Sequence, residues 1–411
     1  MKIAILTSGT LPVPAVQGGA VENLIDFYLD YNERKKIHDI TIFSTYAPTV
    51  TSHYLLKSSV NHFIYIRTNN IVNRFLRKVY SYFYRGIYDY FIEFFFEKAF
   101  KLLSKDKYDL IILENRPGYA VKLNKRLPEI PIIVHLHFDM LNNPNSESLF
   151  KDVNGIISVS DYLYSKASPL LQKKCITVHN GIDLSRFIIP DTSAKCEYRK
   201  TYNINADDIV IVYSGRISPI KGVKELIEAL IIANNSQIKL LIIGGSFYGA
   251  QAIDDEYTIK VKELASQIKD QIIFTGFRPY SEIPHLLSIA DIAVIPSICD
   301  DAFPTTVLEA MAVGLPIIAS RRGGIPEQVN KDNAILLSTD ANFTKALSEA
   351  ILKLSKDAYL RHHMSLSSRK KSTEFEKDYY SQKFFDAIQQ IISNKQSNNH
   401  GYQSFNIDSN I

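Results

Sequence analysis

Two acidic side chains, Asp301 and Glu309, stand with seven residues between them in PSICDDAFPTTVLEAMAVGLPIIAS (296–320). The apolar run before them, IADIAVIPS, reads as a buried strand, and EAMAVG after them reads as a small-residue helix stopping at Gly314. Asp301 then sits at the C-terminal mouth of a strand and Glu309 inside the next helix. Ligands of open α/β sheets bind at that mouth, where a helix N-terminus adds unpaired N–H groups and the positive end of its dipole. An anion carrying hydroxyl groups suits such a place. Earlier, DIVIVYSG (208–215) runs into Arg216 and Lys221 of GRISPIKG. Arginine offers a planar fork and lysine a mobile point charge, a pairing suited to a diphosphate. Cations at a helix start are unfavourable unless an anion is bound there.

Other segments are candidates for the same chemistry. In SGTLPVPAVQGGAVENL, Gly18 and Gly19 follow a strand and open a helix near Ala20, so bare backbone N–H groups can approach a phosphate or sugar closely. A simple tight turn is the alternative. In VHLHFD (134–139) the alternation of a strand puts His135 and His137 on one face, and spacing alone does not separate them. His137 lies nearer the mouth and is the functional candidate; His135 is a core or supporting histidine.

These pieces in order, with LPVPAVQGGAVE, VSDYL, HNGIDLSRF, LLIIGG, FTGF and IPEQV, resemble the family 4 retaining glycosyltransferases of the GT-B fold, of bacterial surface-polysaccharide or spore-coat type. The resemblance spans nearly the whole chain. It implies transfer of a sugar, a hexose first, from a nucleoside-diphosphate donor, UDP- before GDP-, to a glycan or polyprenyl-linked acceptor in capsule, exopolysaccharide or related assembly. It also implies that Glu309 accepts from the ribose hydroxyls and Asp301 from those of the sugar. Gly215, Arg216 and Lys221 would hold the diphosphate, with the backbone of Phe303, Thr305 and Thr306 along diphosphate and sugar. Gly244 and Gly245 would border the site, Phe277 would lie at the base, and His137 would lie near the sugar. Catalytic roles fall to His137, Asp301, Arg216 and Lys221. The family's usual pattern is Glu, seven residues, Glu; Asp301 is one methylene shorter, which bears on which sugar is read. The resemblance further implies front-face substitution, with no metal and no cofactor. No Asp-x-Asp follows a strand. A non-catalytic nucleotide-sugar-binding protein of the same fold is the alternative, and an epimerase or phosphorylase a third.

The elements that must position these residues are legible as short apolar runs alternating with amphipathic stretches, the pattern of parallel sheets with helices on both faces. Six runs fall at 2–7, 39–44, 62–67, 108–113, 131–136 and 155–160, and six more at 208–214, 238–244, 271–276, 291–296, 316–320 and 333–338. The α/β expectation is two facing Rossmann-like domains, 1–185 and 190–372. The joint falls within 179–195, a last helix over about 376–394 returns to the first domain, and 395–411 is a disordered tail. At 411 residues, two or three domains of ~100 to 200 residues each are expected.

Composition narrows the partners. A net charge of +4 and the absence of a reading motif argue against nucleic acid. Three cysteines, with no CxxC pair and no histidine at ligand spacing, argue against a disulfide framework or structural zinc and for a cytoplasmic setting. The N-terminus lacks a signal peptide's apolar core, and no window reaches the ~18 apolar residues of a spanning helix. Over 71–100, Arg74, Arg77, Lys78, Ser81 and Arg85 fall at helical spacing, with Phe75, Leu76, Val79, Tyr82 and Phe83 on the other faces. Such a stretch reads either as a long domain helix with a solvated face or as a peripheral contact with the inner leaflet of the membrane.

Overall fold

The computed structural model describes residues 1–83, 90–246 and 254–404. The chain forms two compact units: Met1–His179 together with Asp378–Ile411, and Asn180–Lys377.

The first unit holds β1 (Lys2–Leu6), β2 (Asp39–Thr45), β3 (Asn61–Ile66), β4 (Leu110–Glu114), β5 (Ile132–Leu136), β6 (Gly155–Ser158) and β7 (Cys175–Thr177). They form one sheet in the order β3-β2-β1-β4-β5-β6-β7. The second holds β8 (Ile209–Ser214), β9 (Ile238–Ile243), β10 (Ile272–Gly276), β11 (Ile292–Ile295), β12 (Ile317–Ser320) and β13 (Ala334–Leu337), ordered β10-β9-β8-β11-β12-β13. Neighbouring strands pair in parallel in both sheets. Parallel strands need crossover connections, and the helices that supply them cover both faces, so the strand interiors are nearly all buried. Twelve of the strands coincide with the apolar runs of the sequence. The thirteenth, β7, does not: three residues of CIT at a sheet edge are too short to show a period.

Strand order reverses between β1 and β4 in one sheet and between β8 and β11 in the other. At such switch points adjacent crossovers leave to opposite faces and open a crevice beyond the strands' carboxyl ends. β8 delivers Gly215 and Arg216 there, and β11 delivers the loop containing Asp301.

The last helix, Lys377–Ser404, runs beyond residue 394, so the stretch to 404 expected as tail is helical here; 405–411 lies outside the described residues. Its apolar side enters the core of the first unit. Tyr380, Phe384, Phe385, Ile388 and Ile391 pack with Ile3, Ile5, Leu24 and Tyr28, and the Tyr28 and Phe384 rings stack at 4.4 Å. Each such side chain contributes about 1.5–3 kcal/mol by burial. Within 71–100 the described helices are Ile71–Phe83 and Tyr90–Leu103, and Arg85 lies between them outside the described residues.

Candidate active site

Glycine lets the ends of β8 and β9 come together. A Cβ on Gly244, whose φ is +128°, would stand 2.1 Å from the Gly215 carbonyl oxygen. The Gly215 N–H donates to the Ile243 carbonyl (2.9 Å) and the Gly244 N–H to that of Gly276 (3.0 Å), which ties the mouths of β8, β9 and β10. Arg216 follows with its side chain exposed, its carbonyl fixed by the Tyr213 hydroxyl at 2.6 Å. Lys221 ends a single turn, Pro219–Lys221, and Gly222 then turns through φ 72° into the helix Val223–Ala233. Any larger residue at 222 would drive its Cβ to 1.9 Å from the Pro296 carbonyl oxygen. Lys221 is thereby held against the loop after β11.

There it meets Asp301. Lys221 Nζ lies 2.6 Å from Asp301 Oδ1, and Ser297 Oγ donates to Oδ2 at 2.5 Å. The two residues assigned from sequence to different parts of one ligand are thus bonded to each other, and Ser297 is a partner that the sequence reading missed. Gly323 packs under this loop: its Cβ would stand 1.9 Å from the Asp301 carbonyl oxygen, and the Gly324 N–H donates to that oxygen at 2.8 Å. Phe303 is buried edge-on to Phe375 at 5.7 Å, and its carbonyl accepts from Asn180 Nδ2 at 2.9 Å. Thr305 and Thr306 open the helix Thr305–Ala312 in half-buried positions; Pro304 precedes it, its carbonyl accepting from Gln328 of IPEQV at 3.0 Å. Phe277 is half-buried beyond β10, and nothing lies within 4 Å of a Cβ built on Gly245.

Glu309 is buried inside that helix. Loss of hydration pushes its carboxyl up to about 7, against hydrogen bonds from the Thr305 and Tyr280 hydroxyls that favour the ionised form. Two neutral donors do not replace water around a carboxylate. Tyr280, which the sequence reading did not single out, is itself half-buried, and loss of hydration makes its hydroxyl resist ionisation.

In the first unit, Gly18 and Gly19 have φ of 79° and 102° and lead into Ala20–Lys35. Both angles are in the region that side chains avoid. A Cβ on Gly19 would stand 2.1 Å from Glu22 Oε2, whereas one on Gly18 would meet nothing within 4 Å. Burial pushes Glu22 up to about 7.

His137 follows β5 directly. His135 and His137 do share a face, and both reach Glu114 at the end of β4, in register with His135. His137 Nε2 lies 2.9 Å from Glu114 Oε2, His135 Nδ1 lies 3.1 Å from the same oxygen, and the Tyr28 hydroxyl donates to Oε1 at 3.0 Å. Burial pushes Glu114 up, but charge interaction with His135 and hydrogen bonds from both imidazoles outweigh it and hold the carboxyl down to about 2. Burial, then His135, pushes His137 down to about 4. One ligand atom from each of Glu114, His135 and His137 lies within 4.8 Å of the others, so this trio could also hold a metal ion. The sequence reading put the two histidines on one face but did not find Glu114, because the trio exists only through strand pairing. ENRP after the apolar YDLIIL was the available signal: a carboxylate closing a buried strand.

Among the described residues no helix is long and apolar enough to cross a membrane. On Ile71–Phe83, Ile71, Val72, Phe75, Leu76 and Val79 are exposed alongside Arg74, Arg77 and Lys78.

A family model described as "Glycosyl transferases group 1" matches residues 194–371. This stretch carries Arg216, Lys221, Asp301 and Glu309. Over that stretch the chain is similar to glycosyl transferases group 1. Spore coat protein SA of Bacillus subtilis (strain 168) is 27% identical to it over 387 residues, covering 90% of this chain and 94% of that protein. The lipopolysaccharide 1,2-N-acetylglucosaminetransferase of Salmonella typhimurium is 28% identical over 223 residues, 54% of this chain and 56% of that one. The crystal structure of Anabaena Alr3699/HepE in complex with UDP and glucose superposes with a TM-score of 0.70 at 19% identity, covering 95% of this chain and 99% of that chain. The chain has the GT-B class of fold, two Rossmann-like units of parallel sheet and helix.

Proposed function

We propose that this glycosyltransferase moves a sugar with retention of configuration from a nucleoside-diphosphate donor to a glycan or polyprenyl-linked acceptor in surface-glycan assembly. The observation that carries the reading is the gathering of Arg216, Lys221 and Asp301 at the β8/β11 switch point, beside a helix whose Glu309 is short of hydrogen-bond donors. Arg216 and Lys221 neutralise the diphosphate, and the ribose hydroxyls supply the donors that Glu309 lacks. As the diphosphate draws charge on Lys221, Asp301 is released toward the hydroxyls of the sugar. UDP is the first candidate nucleotide, since the HepE structure holds UDP and glucose.

In the step itself the bond between C1 and the diphosphate oxygen breaks, and its electron pair leaves with the nucleoside diphosphate. The acceptor hydroxyl bonds to C1 from the same face and passes its proton to the departing phosphate. The growing charge on that phosphate is the main load, and each preorganised donor aimed at such charge is worth ~3 to 4 kcal/mol. Two protein cations meet this need without a divalent ion, so transfer should survive EDTA. Complete loss restored by Mg²⁺ or Mn²⁺ would overturn metal independence. The basic and apolar helix Ile71–Phe83 fits contact with anionic lipid, bringing the enzyme to a lipid-linked acceptor on the cytoplasmic leaflet.

The test is a thermal-shift series with UDP-, GDP- and dTDP-sugars followed by transfer assays, since a ligand that binds the folded state raises its melting temperature. A UDP-sugar is expected to give the largest rise. No rise with any of the three would sink the reading, and binding without transfer to any glycan or polyprenyl acceptor would favour a non-catalytic binding protein.

A further inference from the structure

Of the two cations beyond β8, Arg216 is exposed while Lys221 is engaged by Asp301, with side chains 22% and 16% exposed and Nζ 2.6 Å from Oδ1. The backbone holds the aspartate at this contact from both sides. The Ile220 carbonyl accepts the Ile298 and Cys299 N–H groups at 2.9 and 3.2 Å, which ties the turn ending in Lys221 to the loop after β11. Across that loop the Gly323 N–H donates to Asp300 Oδ1 at 3.2 Å, and the Gly324 N–H donates to the Asp301 carbonyl at 2.8 Å. At Gly222 and Gly323 the chains approach too closely for any Cβ. Ser297, only 2% exposed, then fixes the carboxylate itself by donating to Oδ2. Asp301 is thus anchored through its backbone and one oxygen, and the long lysine side chain is the partner that can move.

We propose that Asp301 is the resident anion of the Lys221 ammonium, an internal competitor that the diphosphate of a nucleotide ligand must displace. The ligand class rests on the glycosyl-transfer reading above. A carboxylate and a phosphate oxygen make the same kind of charge-assisted contact with an ammonium group, so one excludes the other. Competition of this kind lowers apparent affinity by the fraction of molecules in which the seat is free: if Asp301 holds Lys221 in about nine molecules of ten, a diphosphate binds about tenfold more weakly than to the lysine alone. The diphosphate can also draw on Arg216, which the aspartate leaves exposed, and so wins the exchange. Ser297 keeps Oδ2 while Lys221 swings away. When the spent nucleoside diphosphate departs, the carboxylate takes the lysine back, and the protein holds its product less tightly than two cations by themselves would.

Calorimetry of the full chain with UDP, and in parallel with inorganic pyrophosphate, tests the competition in a double-variant cycle. Asp301→Asn removes the charge and is expected to tighten binding of both probes about five- to tenfold, with Asp301→Ala giving the same gain should the asparagine variant not fold. On a Lys221→Ala background the same substitution should change binding less than about twofold, because the seat under competition is gone. Unchanged or weaker UDP binding in Asp301→Asn overturns the proposal and leaves glycosyl transfer standing. Equal tightening on both backgrounds also overturns it, since plain repulsion between carboxylate and diphosphate does not need the lysine. If Lys221→Ala binds neither probe measurably, the single variants decide by the same criterion. The expected pattern with pyrophosphate, in a protein that binds no sugar nucleotide, would sink the glycosyl-transfer reading and keep the competition; binding of neither probe to any form would sink both.

Discussion

Glu114 and Glu309 are both buried carboxylates near the carboxyl ends of parallel strands, yet one is held down to about 2 and the other pushed up to about 7. Their burial is alike. What differs is the supply of donors: two imidazoles and a tyrosine hydroxyl around Glu114, two hydroxyls around Glu309. The first carboxylate is complete within its own unit, and the second has capacity to spare. The lesson is that a buried acid reads as structural or as ligand-seeking by what already donates to it, and the family resemblance that singled out Glu309 had no means of seeing Glu114.

The largest expected effect breaks the first half of this comparison. Glu114→Ala strips the acceptor from two buried imidazoles and Tyr28, and should cost about 3–5 kcal/mol of stability in urea unfolding, the range for removing one member of a buried charged group. Glu309→Ala orphans only two hydroxyls and should cost about 1–2 kcal/mol. Equal losses would show that donor supply does not separate the two acids.

Next in size, Arg216→Ala or Lys221→Ala should each lower transfer by ~10²-fold or more, because under the proposed function each removes a cation aimed at the leaving diphosphate. Near-normal rates with the matched donor would remove both from the site. Lys221→Ala also frees Asp301 from its 2.6 Å contact, so the double variant Lys221→Ala/Asp301→Ala should not show additive losses. Additive losses would mean that the pair does not act together.

A smaller effect tests the spare capacity of Glu309. Glu309→Gln should weaken nucleoside diphosphate binding by about ten- to hundredfold in calorimetry, the worth of ~1.5 to 3 kcal/mol of charge-assisted contact. Binding at wild-type strength would leave the ribose unassigned.

The smallest effect is a pair of opposite pH trends. Glu309 has a raised folded pKa, so the folded state holds more protons than the unfolded chain between about pH 4.5 and 7, and its contribution to stability falls as pH rises through that window. Glu114 has a depressed one, so its contribution is full above about 4.5 and is lost as pH falls toward 2. Melting curves should therefore show Glu309→Gln gaining on the wild type from pH 4.5 to 7, and Glu114→Gln closing its deficit below 4.5. Parallel curves for either variant would place its titration elsewhere.

The strands were legible because buried parallel strands write themselves as continuous apolar runs, and the turns carrying Gly18, Gly19 and Arg216 because glycines and cations are unusual where a strand gives way to a helix. What lay beyond reading came from pairing across the chain. The Lys221–Asp301 contact joins residues eighty apart in sequence, and Glu114 meets His137 only because β4 lies beside β5. Helix Ile71–Phe83 was legible as amphipathic.

The packing of Phe384, Ile388 and Ile391 into the first unit imposes an order on synthesis. The chain from Asn180 to Lys377 is contiguous and can fold as soon as it is clear of the ribosome, whereas the sheet begun at Lys2 waits for side chains made only after that unit. Until then Tyr28 and its neighbours face water. The N-terminal half of this protein is begun first and finished second, and a nascent chain stalled before residue 384 would present to chaperones an apolar groove shaped for its own missing helix.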